Sequence, residues 1–295
     1  MRGNPEAHEL IAATSLAETL ARLAEEPGVW TPIAGGTELM VAHAAGRLSA
    51  QKLMSLSTVP ELSFVKVDAH SVSIGGGTTF GQIRRHATIA SDFPLLAQAA
   101  GWIGSIANQN RATLAGNIVN GSPAADAPPA LLVYDAEIEL ISQRGSRRIP
   151  YADFHLGYKQ SVLERDELVL ALHLPSRFEN HVRYLRKVGT RNAMAITKVA
   201  LAATALIAEG RVTEIRLAAA SLADRPLRLT ATEAVLFNKT LSRGIRAAAR
   251  TALLNEVRPI DDIRSTTMYR SHVAANLLDE FLDALEHKQA AELIA

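Results

Sequence analysis

Hydrophobic residues recur at helical spacing near the start of the chain, where three leucines form one stripe: Leu16, Leu20 and Leu23. Ser15 precedes this stripe as an N-cap residue, and Glu18 stands three positions later. From there its carboxylate can reach back to the free N–H groups of the first turn. Pro27 and Gly28 then end the periodic segment. The pattern therefore predicts a first helix between Ser15 and Pro27.

An apolar run over 29–34 follows and predicts a short strand. Gly35 and Gly36 interrupt this run, and a helical pattern restarts over 37–45. A further short strand is predicted over 53–56. The order of helix, strand, glycine turn and helix places the free N–H groups of the second helix beside the two glycines.

The middle of the chain mixes both kinds of pattern. Strands are predicted over 64–67, 71–75, 131–140, 147–150 and 168–174, and helices over 80–86 and 95–106. The stretch 123–129 contains proline and small residues and is expected to be irregular. Gly75, Gly76 and Gly77 are open to two interpretations, a third anion-binding loop or a strand-end bulge, of which the bulge is favoured.

Residues 175–180 mark a change of pattern. Beyond them an antiparallel meander of three strands is predicted over 184–188, 199–208 and 212–219, followed by helices over 227–238, 242–257 and 269–286. The expected fold class is α+β. We expect an N-terminal domain over 1–176, with subdomains of about 1–58 and 59–176, and a C-terminal domain over 177–295.

The composition narrows the possible partners. The chain is 48% hydrophobic, 21% charged and 5% aromatic, with a net charge of +1, so a globular protein is expected and nucleic acid is not an expected partner. No apolar run is long enough to span a bilayer, and residues 1–9 show no signal-peptide pattern, so a cytoplasmic location without membrane insertion is expected.

The chain has no cysteine, which excludes disulfides and cysteine-ligated iron–sulfur clusters within this polypeptide. The histidines are scattered without metal-ligand spacing, and no metal site is expected.

Two glycine-bearing segments share their chemistry, AGGTEL over 34–39 and TLAGNI over 113–118. Each carries small residues next to hydroxyl or amide side chains, which lets backbone N–H groups approach an anion such as a diphosphate. Neither fits the Rossmann or P-loop pattern, and either alone is compatible with an ordinary tight turn. Together they indicate a dinucleotide held from two sides.

These segments belong to a longer set of motifs in one order along the chain. They are IAGGTEL over 33–39, NRATLAGNI over 110–118, NGSPAAD over 120–126, PALLVYDA over 129–136, IPYADF over 149–154, DEL over 166–168, YLRKVG over 184–189, RPIDDIR over 258–264 and the pair Tyr269-Arg270. In this set the chain resembles the FAD-binding, or medium, subunit of the molybdenum hydroxylases, the group of the xanthine dehydrogenases and carbon monoxide dehydrogenase.

The resemblance implies an FAD-binding domain of the PCMH or vanillyl-alcohol-oxidase-like type, followed by a C-terminal domain of antiparallel sheet plus helices. FAD would lie between the two portions, with its diphosphate under both glycine segments. Residues 34–38 and 113–117 would hold the diphosphate through backbone N–H groups, with side-chain donors from Thr37, Thr113 and Asn117. The full set of implied cofactor-binding residues is Ile33, Ala34, Gly35, Gly36, Thr37, Glu38, Leu39, Ile103, Thr113, Ala115, Gly116, Asn117, Asn120, Asp126, Val169 and Lys187.

Individual roles follow from the same resemblance. Ile103 would pack beside the isoalloxazine ring, and Glu38 would place a carboxylate near it. Asp126 would lie near the phosphate and ribose, while Val169 and Lys187 would line the cofactor from later strands. Because a carboxylate repels phosphate, Asp126 is expected to accept from a ribose hydroxyl or to orient a loop donor.

The implied function is electron transfer by the FAD subunit of a larger oxidoreductase. The subunit would take electrons from [2Fe–2S] clusters on a small partner subunit, while molybdenum chemistry occurs on a large molybdopterin subunit, in a dimer of heterotrimers. No catalytic residue is expected in this chain. Two alternatives stay open: a stand-alone FAD-dependent oxidoreductase, and a flavin-free scaffold of the same fold. The near-complete chemistry of both glycine segments argues against the scaffold. Ala115 leaves it open, because this residue stands where the family usually has glycine and would be strained if that position needed a positive φ.

Overall fold

The computed structural model describes residue 4 and residues 7–292 of the 295-residue chain. Most of the segment 1–9, expected to lack a signal peptide, lies outside the described residues. Helices and strands alternate in the first part and separate into a sheet and a helical layer in the last part, so the α+β class is confirmed. Among the described residues, no helix is both long and apolar enough to cross a membrane.

The first helix, α1, spans Leu16–Glu25, and the Oγ of Ser15 accepts from the backbone N–H of Glu18 as the cap pattern predicts. The Glu18 carboxylate reaches back one residue further than predicted, to the N–H of Thr14 at 2.9 Å. A parallel three-stranded sheet packs on this helix in the order β1–β3–β2. Its strands are β1 (Glu9–Ala12), β2 (Trp30–Ile33) and β3 (Lys52–Ser55), with α2 (Leu39–Ala44) between the last two. The sequence pattern did not predict β1.

An antiparallel five-stranded sheet forms the centre of the first part, in the order β4–β5–β10–β6–β7. Its strands are β4 (Val65–Val67), β5 (Ser71–Gly75), β6 (Glu137–Ser142), β7 (Gly145–Pro150) and β10 (Leu168–Pro175), and a small hairpin of β8 (His155–Gly157) and β9 (Gln160–Ser161) follows β7. Six short helices lie between β5 and β6: α3 (Phe80–Arg85), α4 (Ala87–Asp92), α5 (Pro94–Trp102), α6 (Ile106–Gln109), α7 (Leu114–Val119) and α8 (Pro128–Val133). Apolar residues of β5 and β10 pack against these helices in one core cluster.

Two sequence predictions in this region are wrong. Residues 131–140 are not one strand, because α8 occupies Pro128–Val133 and β6 begins at Glu137. Pro128 and Pro129 stand in the first turn of α8, where a missing N–H and a fixed φ favour a helix start. The predicted helix 95–106 ends at Trp102, because Ser105 caps the separate helix α6. In a short apolar run, periodicity alone does not distinguish a buried helix from a buried strand.

The last part contains an antiparallel sheet in the order β11–β12–β13–β14, with four strands where the sequence predicted three. These strands are β11 (Val182–Val188), β12 (Val199–Ala208), β13 (Arg211–Ala220) and β14 (Leu227–Arg228). The helices α9 (Thr230–Leu236), α10 (Arg243–Glu256) and α11 (Thr267–Glu292) cover one face of the sheet. The predicted helix 227–238 begins late because Leu227 and Arg228 pair with β13.

A half-buried ionic cluster joins Asp135, just after α8, to the last sheet. The Asp135 carboxylate accepts from Arg216 Nε at 2.8 Å and from Arg228 Nη1 at 2.8 Å. Burial acts to raise the pKa of Asp135, but Arg228 and Arg216 outweigh it and the pKa falls below its ordinary value. The cluster therefore holds a charged carboxylate between the two parts of the chain.

Candidate functional site

The first glycine segment is a loop between β2 and α2. Gly36 has φ +71°, a left-handed conformation that favours glycine. Within the described part of the chain, the backbone N–H groups of Gly35, Gly36, Thr37 and Glu38 donate to no acceptor. Adjacent free N–H groups at the start of a helix favour an anion. The loop therefore has four backbone donors that are free to bind a ligand.

The second segment differs from that prediction. Thr113 is the N-cap of α7, and its Oγ1 accepts from the N–H of Gly116 at 3.2 Å. The N–H groups of Leu114, Ala115 and Asn117 donate to the carbonyls of Thr78, Gly76 and Thr113 at 2.9–3.0 Å. The backbone donors of residues 114–117 are therefore already used. Only its side chains remain available to donate hydrogen bonds to a ligand.

Ala115 lies inside α7 and is not among the residues with positive φ. The methyl group therefore imposes no backbone strain at this position. An alanine in place of the family glycine is compatible with the observed helix, so Ala115 does not indicate a lost site.

A backbone contact brings the two segments together. A β-carbon built on Gly35 would lie 2.0 Å from the carbonyl oxygen of Arg111 and 3.0 Å from the Cα of Ala112. Only glycine leaves room for this approach. The contact places the free N–H groups of the first loop beside the residues that lead into Thr113.

The glycine run 75–77 packs against the second segment. The N–H groups of Gly75, Gly76 and Gly77 donate to the carbonyls of Phe64, Leu170 and Leu62 respectively. The run is thus a strand-end turn with no free donors, as the favoured interpretation has it, and not a third anion loop. A β-carbon on Gly76 would meet the Val169 carbonyl at 2.3 Å and the Ala115 methyl at 3.0 Å. Val169 is therefore joined to α7 through this turn.

Asn117 presents a polar atom that has no partner. Its Oδ1 is buried and makes no hydrogen bond within the described residues, although buried polar atoms are normally paired. The two ends of an amide are nearly identical in shape, and rotation by half a turn presents Nδ2 instead. Thr113 beside it is only 7% exposed, and Asn120 ends α7 as its C-cap.

Asp126 and Lys187 lie together, as a pair that joins the first part of the chain to β11. Lys187 Nζ donates to Asp126 Oδ2 at 2.7 Å, and both side chains are 11% exposed. The hydroxyl of Thr197 donates to Asp126 Oδ1. Burial raises the pKa of Asp126, and the bonds from Lys187 and Thr197 offset only part of that effect. Both carboxylate oxygens are thus occupied by partners from the last part of the chain.

A cavity of about 610 Å³ opens beside this pair, between α5 and the segment after β11. Trp102 and Lys187 form part of its wall. Ile103 follows Trp102 as the C-cap of α5 and packs half-buried on the core, while Val169 is buried within that core.

The other predicted residues of the first loop lie at its two ends. Glu38 is exposed and its side chain makes no hydrogen bond in the described structure. Ile33 ends β2 beside Gly36, and Leu39 begins α2.

Three residues that complete this arrangement were missed from the sequence: Arg111, Gly76 and Thr197. The glycine run that contains Gly76 is visible in the sequence, but nothing in the sequence shows that it contacts the second segment. Arg111 and Thr197 act through a backbone carbonyl and a long-range hydroxyl contact, for which no local pattern exists.

Comparison with known proteins decides the family. Residues 6–177 match the family described as the FAD binding domain in molybdopterin dehydrogenase, and residues 184–285 match the CO dehydrogenase flavoprotein C-terminal domain. The chain belongs to the family of FAD-binding subunits of the molybdopterin dehydrogenases. FAD is its cofactor, and the family is one of oxidoreductase subunits.

Named members of this FAD-binding family align over most of the chain. The xanthine dehydrogenase FAD-binding subunit of Escherichia coli O157:H7 is 31% identical over 263 residues, covering 88% of this chain and 90% of the relative. The glyceraldehyde dehydrogenase medium chain of Sulfolobus acidocaldarius is 28% identical, covering 91% and 95%. The solved carbon monoxide dehydrogenase of Hydrogenophaga pseudoflava superimposes with a TM-score of 0.90 at 26% identity, covering 95% of this chain and 98% of that chain.

Proposed function

We propose that this FAD-binding subunit transfers electrons within a molybdenum-containing hydroxylase or dehydrogenase. It would take them from [2Fe–2S] clusters of a partner subunit and pass them to an external acceptor. Bound FAD supplies the required chemistry, since a flavin accepts electrons singly and releases them in pairs. The absence of cysteine supports the assignment of the clusters to another chain.

The observation that carries the proposal is the set of free donors in the first loop. A diphosphate needs several donors in a small space, and the N–H groups of Gly35, Gly36, Thr37 and Glu38 provide them. The first segment would therefore bind the diphosphate through its backbone. Gly35 and Gly36 supply the small size and the left-handed turn that this loop needs.

The second segment would act through side chains. The Thr113 hydroxyl accepts from Gly116 through an oxygen lone pair, which leaves its own hydrogen free to donate to a phosphate oxygen. The unpaired amide of Asn117 lies on the next turn of the same helix. Hydrogen bonds from these two side chains would complete the diphosphate site. Ala115 and Gly116 would keep this face of α7 narrow, and Asn120 would border it.

Asp126 and Lys187 would set the position of the cofactor where the two parts of the chain meet. Because both oxygens of Asp126 already have donors, an orienting role is better supported than acceptance from ribose. Asp126 would hold the Lys187 ammonium group at the edge of the cavity. Ile103 and Val169 would offer apolar contacts to the ring, and Ile33, Ala34 and Leu39 would frame the first loop.

We also propose the domain division stated from the sequence, with subdomains of about 1–58 and 59–176 and a C-terminal domain of 177–295. The two family matches, which change between residues 177 and 184, support this division. The partners proposed are a small iron–sulfur subunit and a large molybdopterin subunit in a dimer of heterotrimers. Two relatives, from Sulfolobus acidocaldarius and Hydrogenophaga pseudoflava, are named medium chains, which supports the proposal that this chain belongs to such a complex.

Rapid mixing tests the electron-transfer role directly. The FAD-loaded chain is mixed anaerobically with pre-reduced iron–sulfur subunit, and flavin absorbance is followed. Loss of oxidised-flavin absorbance is expected, followed by its return when an external acceptor is added. If instead the isolated chain oxidises the substrate of the complex unaided, the stand-alone oxidoreductase replaces this proposal.

A further inference from the structure

Arg270 is a buried arginine in the first turn of α11, and it is the last residue of the motif set along the chain. Only 3% of its surface is exposed. Its Nη2 donates to Asp262 Oδ1 at 2.8 Å, and its Nη1 donates to the Lys198 carbonyl at 2.7 Å and to the Ser221 carbonyl at 3.4 Å. A buried charge is costly unless it is paired, and Asp262 supplies the pair. The second nitrogen is therefore left to hold two backbone segments together.

Ser221 is held in an uncommon conformation directly after β13. Its φ is +64°, a left-handed value that few residues other than glycine adopt. Its Oγ donates to the Thr197 carbonyl at 2.9 Å, and its N–H donates to the Pro123 carbonyl at 2.8 Å. Together with the contact from Arg270, these bonds hold the serine in a conformation that costs free energy. Ser221 therefore connects Arg270 both to Thr197 and to the segment that leads to Asp126.

The hydrogen bond from Thr197 to Asp126 lies where these contacts converge. Thr197 is buried, and the carbonyl of the next residue is the one that Arg270 holds at 2.7 Å. Arg270 therefore fixes the donor of this bond, and through the serine it fixes the segment that carries the acceptor. Asp126 in turn holds the Lys187 ammonium group at 2.7 Å. A change at Arg270 would thus reach Lys187 through this one hydrogen bond.

We propose that Arg270 is a positioning residue of the cofactor site, which sets the hydrogen bond between Thr197 and Asp126. Through that bond it fixes the Lys187 ammonium group, which would line the cofactor. The inference rests on the proposed function, because it concerns residues that would hold FAD where the two parts of the chain meet. A cation that is already fixed loses less freedom on binding an anionic ligand than a mobile one does. FAD affinity therefore depends on Arg270 as long as the Thr197 hydroxyl is present.

The test is a double-mutant cycle on the FAD dissociation constant of the full chain, measured by titration. Arg270→Gln removes the guanidinium, and Thr197→Val removes the hydroxyl at nearly constant volume. Each is expected to weaken FAD binding about fivefold. Since both act on one hydrogen bond, the double variant is expected to bind FAD within about twofold of Thr197→Val alone. Thr197→Ser keeps the hydroxyl and is expected to bind FAD as wild type does.

Two further variants separate positioning from general support of the fold. Ser221→Gly removes the Oγ that reaches the Thr197 carbonyl but suits the positive φ, so a folded chain with weaker FAD binding is expected. Arg246→Gln is the matched control, because Arg246 also binds a carboxylate, that of Asp283, and a backbone carbonyl, that of Asp279, but within the helical layer. It is expected to lower the free energy of unfolding, measured with denaturant, without changing the FAD dissociation constant.

The outcomes distinguish this inference from the proposed function. Losses that multiply to about 25-fold in the double variant overturn the positioning role and leave the proposed function standing. Wild-type FAD affinity in Arg270→Gln, or an equal loss of affinity in Arg246→Gln, has the same meaning. If Arg270→Gln does not fold, Ser221→Gly takes its place in the cycle under the same criteria. A wild-type chain that binds no FAD contradicts the proposed function and removes this inference with it.

Discussion

Gly35 and Arg111 touch through their backbones, so closely that a β-carbon on Gly35 would lie 2.0 Å from the Arg111 carbonyl oxygen. The first residue belongs to the loop after β2 and the second to the turn before α7. This contact makes one structure from two segments that are far apart in the sequence. In the proposed cofactor site, this contact would bring the free N–H groups of the first loop and the side chains of Thr113 and Asn117 to the same diphosphate.

Gly35→Ala is expected to lower FAD affinity at least about tenfold, because the added methyl must push the loop away from Arg111. The free donors then move relative to α7. FAD titration and thermal unfolding measure both effects. Gly244→Ala is the matched control, since its new methyl meets only the Ser242 Oγ at 3.9 Å. Equal FAD affinity in the two variants would contradict the account of the loop contact.

Ala115→Gly is expected to lower the free energy of unfolding by about 0.5–1 kcal/mol without increasing FAD affinity. Glycine is a poor helix former, and Ala115 is a helical residue with no positive φ to relieve. Denaturant unfolding and FAD titration of the same preparations check both parts. A clear gain in FAD affinity would show that alanine impairs the site.

Lys187→Met is expected to destabilise the protein by about 3 kcal/mol or more, because it leaves Asp126 buried without its ammonium partner. The double variant Asp126→Asn/Lys187→Met is expected to lose less, since no uncompensated charge remains. Denaturant unfolding of the single and double variants measures the pair. Lys239→Met, at an exposed position, is the control. A single variant as stable as this control would contradict the buried pair.

Asp262 gives a prediction about pH. Burial acts to raise its pKa, but hydrogen bonds from the backbone of Arg264 and Ser265, together with the side chains of Arg264 and Arg270, lower it to about 2. A carboxyl with a lowered folded-state pKa contributes stability above its ordinary pKa of 3.8, and loses it as pH falls toward about 2. Asp262→Asn should therefore be less stable than wild type at neutral pH. The difference should shrink as pH falls below about 4.

Thermal unfolding of both proteins across this pH range checks the direction of the change. The exposed carboxyl of Asp224, 58% accessible, provides the control substitution Asp224→Asn, for which only a small difference is expected at any pH. A stability difference for Asp262→Asn that grows on acidification would contradict the hydrogen-bond network around Asp262.

Local signals predicted much of the fold. The cap at Ser15, the interruption at Gly35 and Gly36, and the strands predicted over 199–208 and 212–219 each correspond to an observed element. The first two rest on interactions between near neighbours in the sequence. The strand predicted over 131–140 was wrong in its first part, because the apolar run 131–133 is fully buried and shows no periodicity that separates helix from strand.

The sequence predicted the hydrogen bonds of the candidate site less well than it predicted the fold. Small residues in the second segment suggested free backbone donors, but Gly76 and Thr78 occupy those of Ala115 and Leu114 from another part of the chain. The Asp126–Lys187 pair likewise depends on how β11 packs on the first part. Contacts of this kind are set by tertiary structure, so residue types alone could suggest the participants but not their hydrogen-bond partners.

The most direct test of the central claim is the FAD content of the purified full chain after incubation with FAD and desalting, read from the visible spectrum. We expect about one FAD per chain, as one diphosphate site implies. Asn117→Asp, which adds a negative charge without changing shape, should retain much less, while Asn255→Asp at the exposed end of α10 should match wild type. A wild-type chain that retains no flavin, or an Asn117→Asp chain that retains it fully, would contradict the proposed cofactor site.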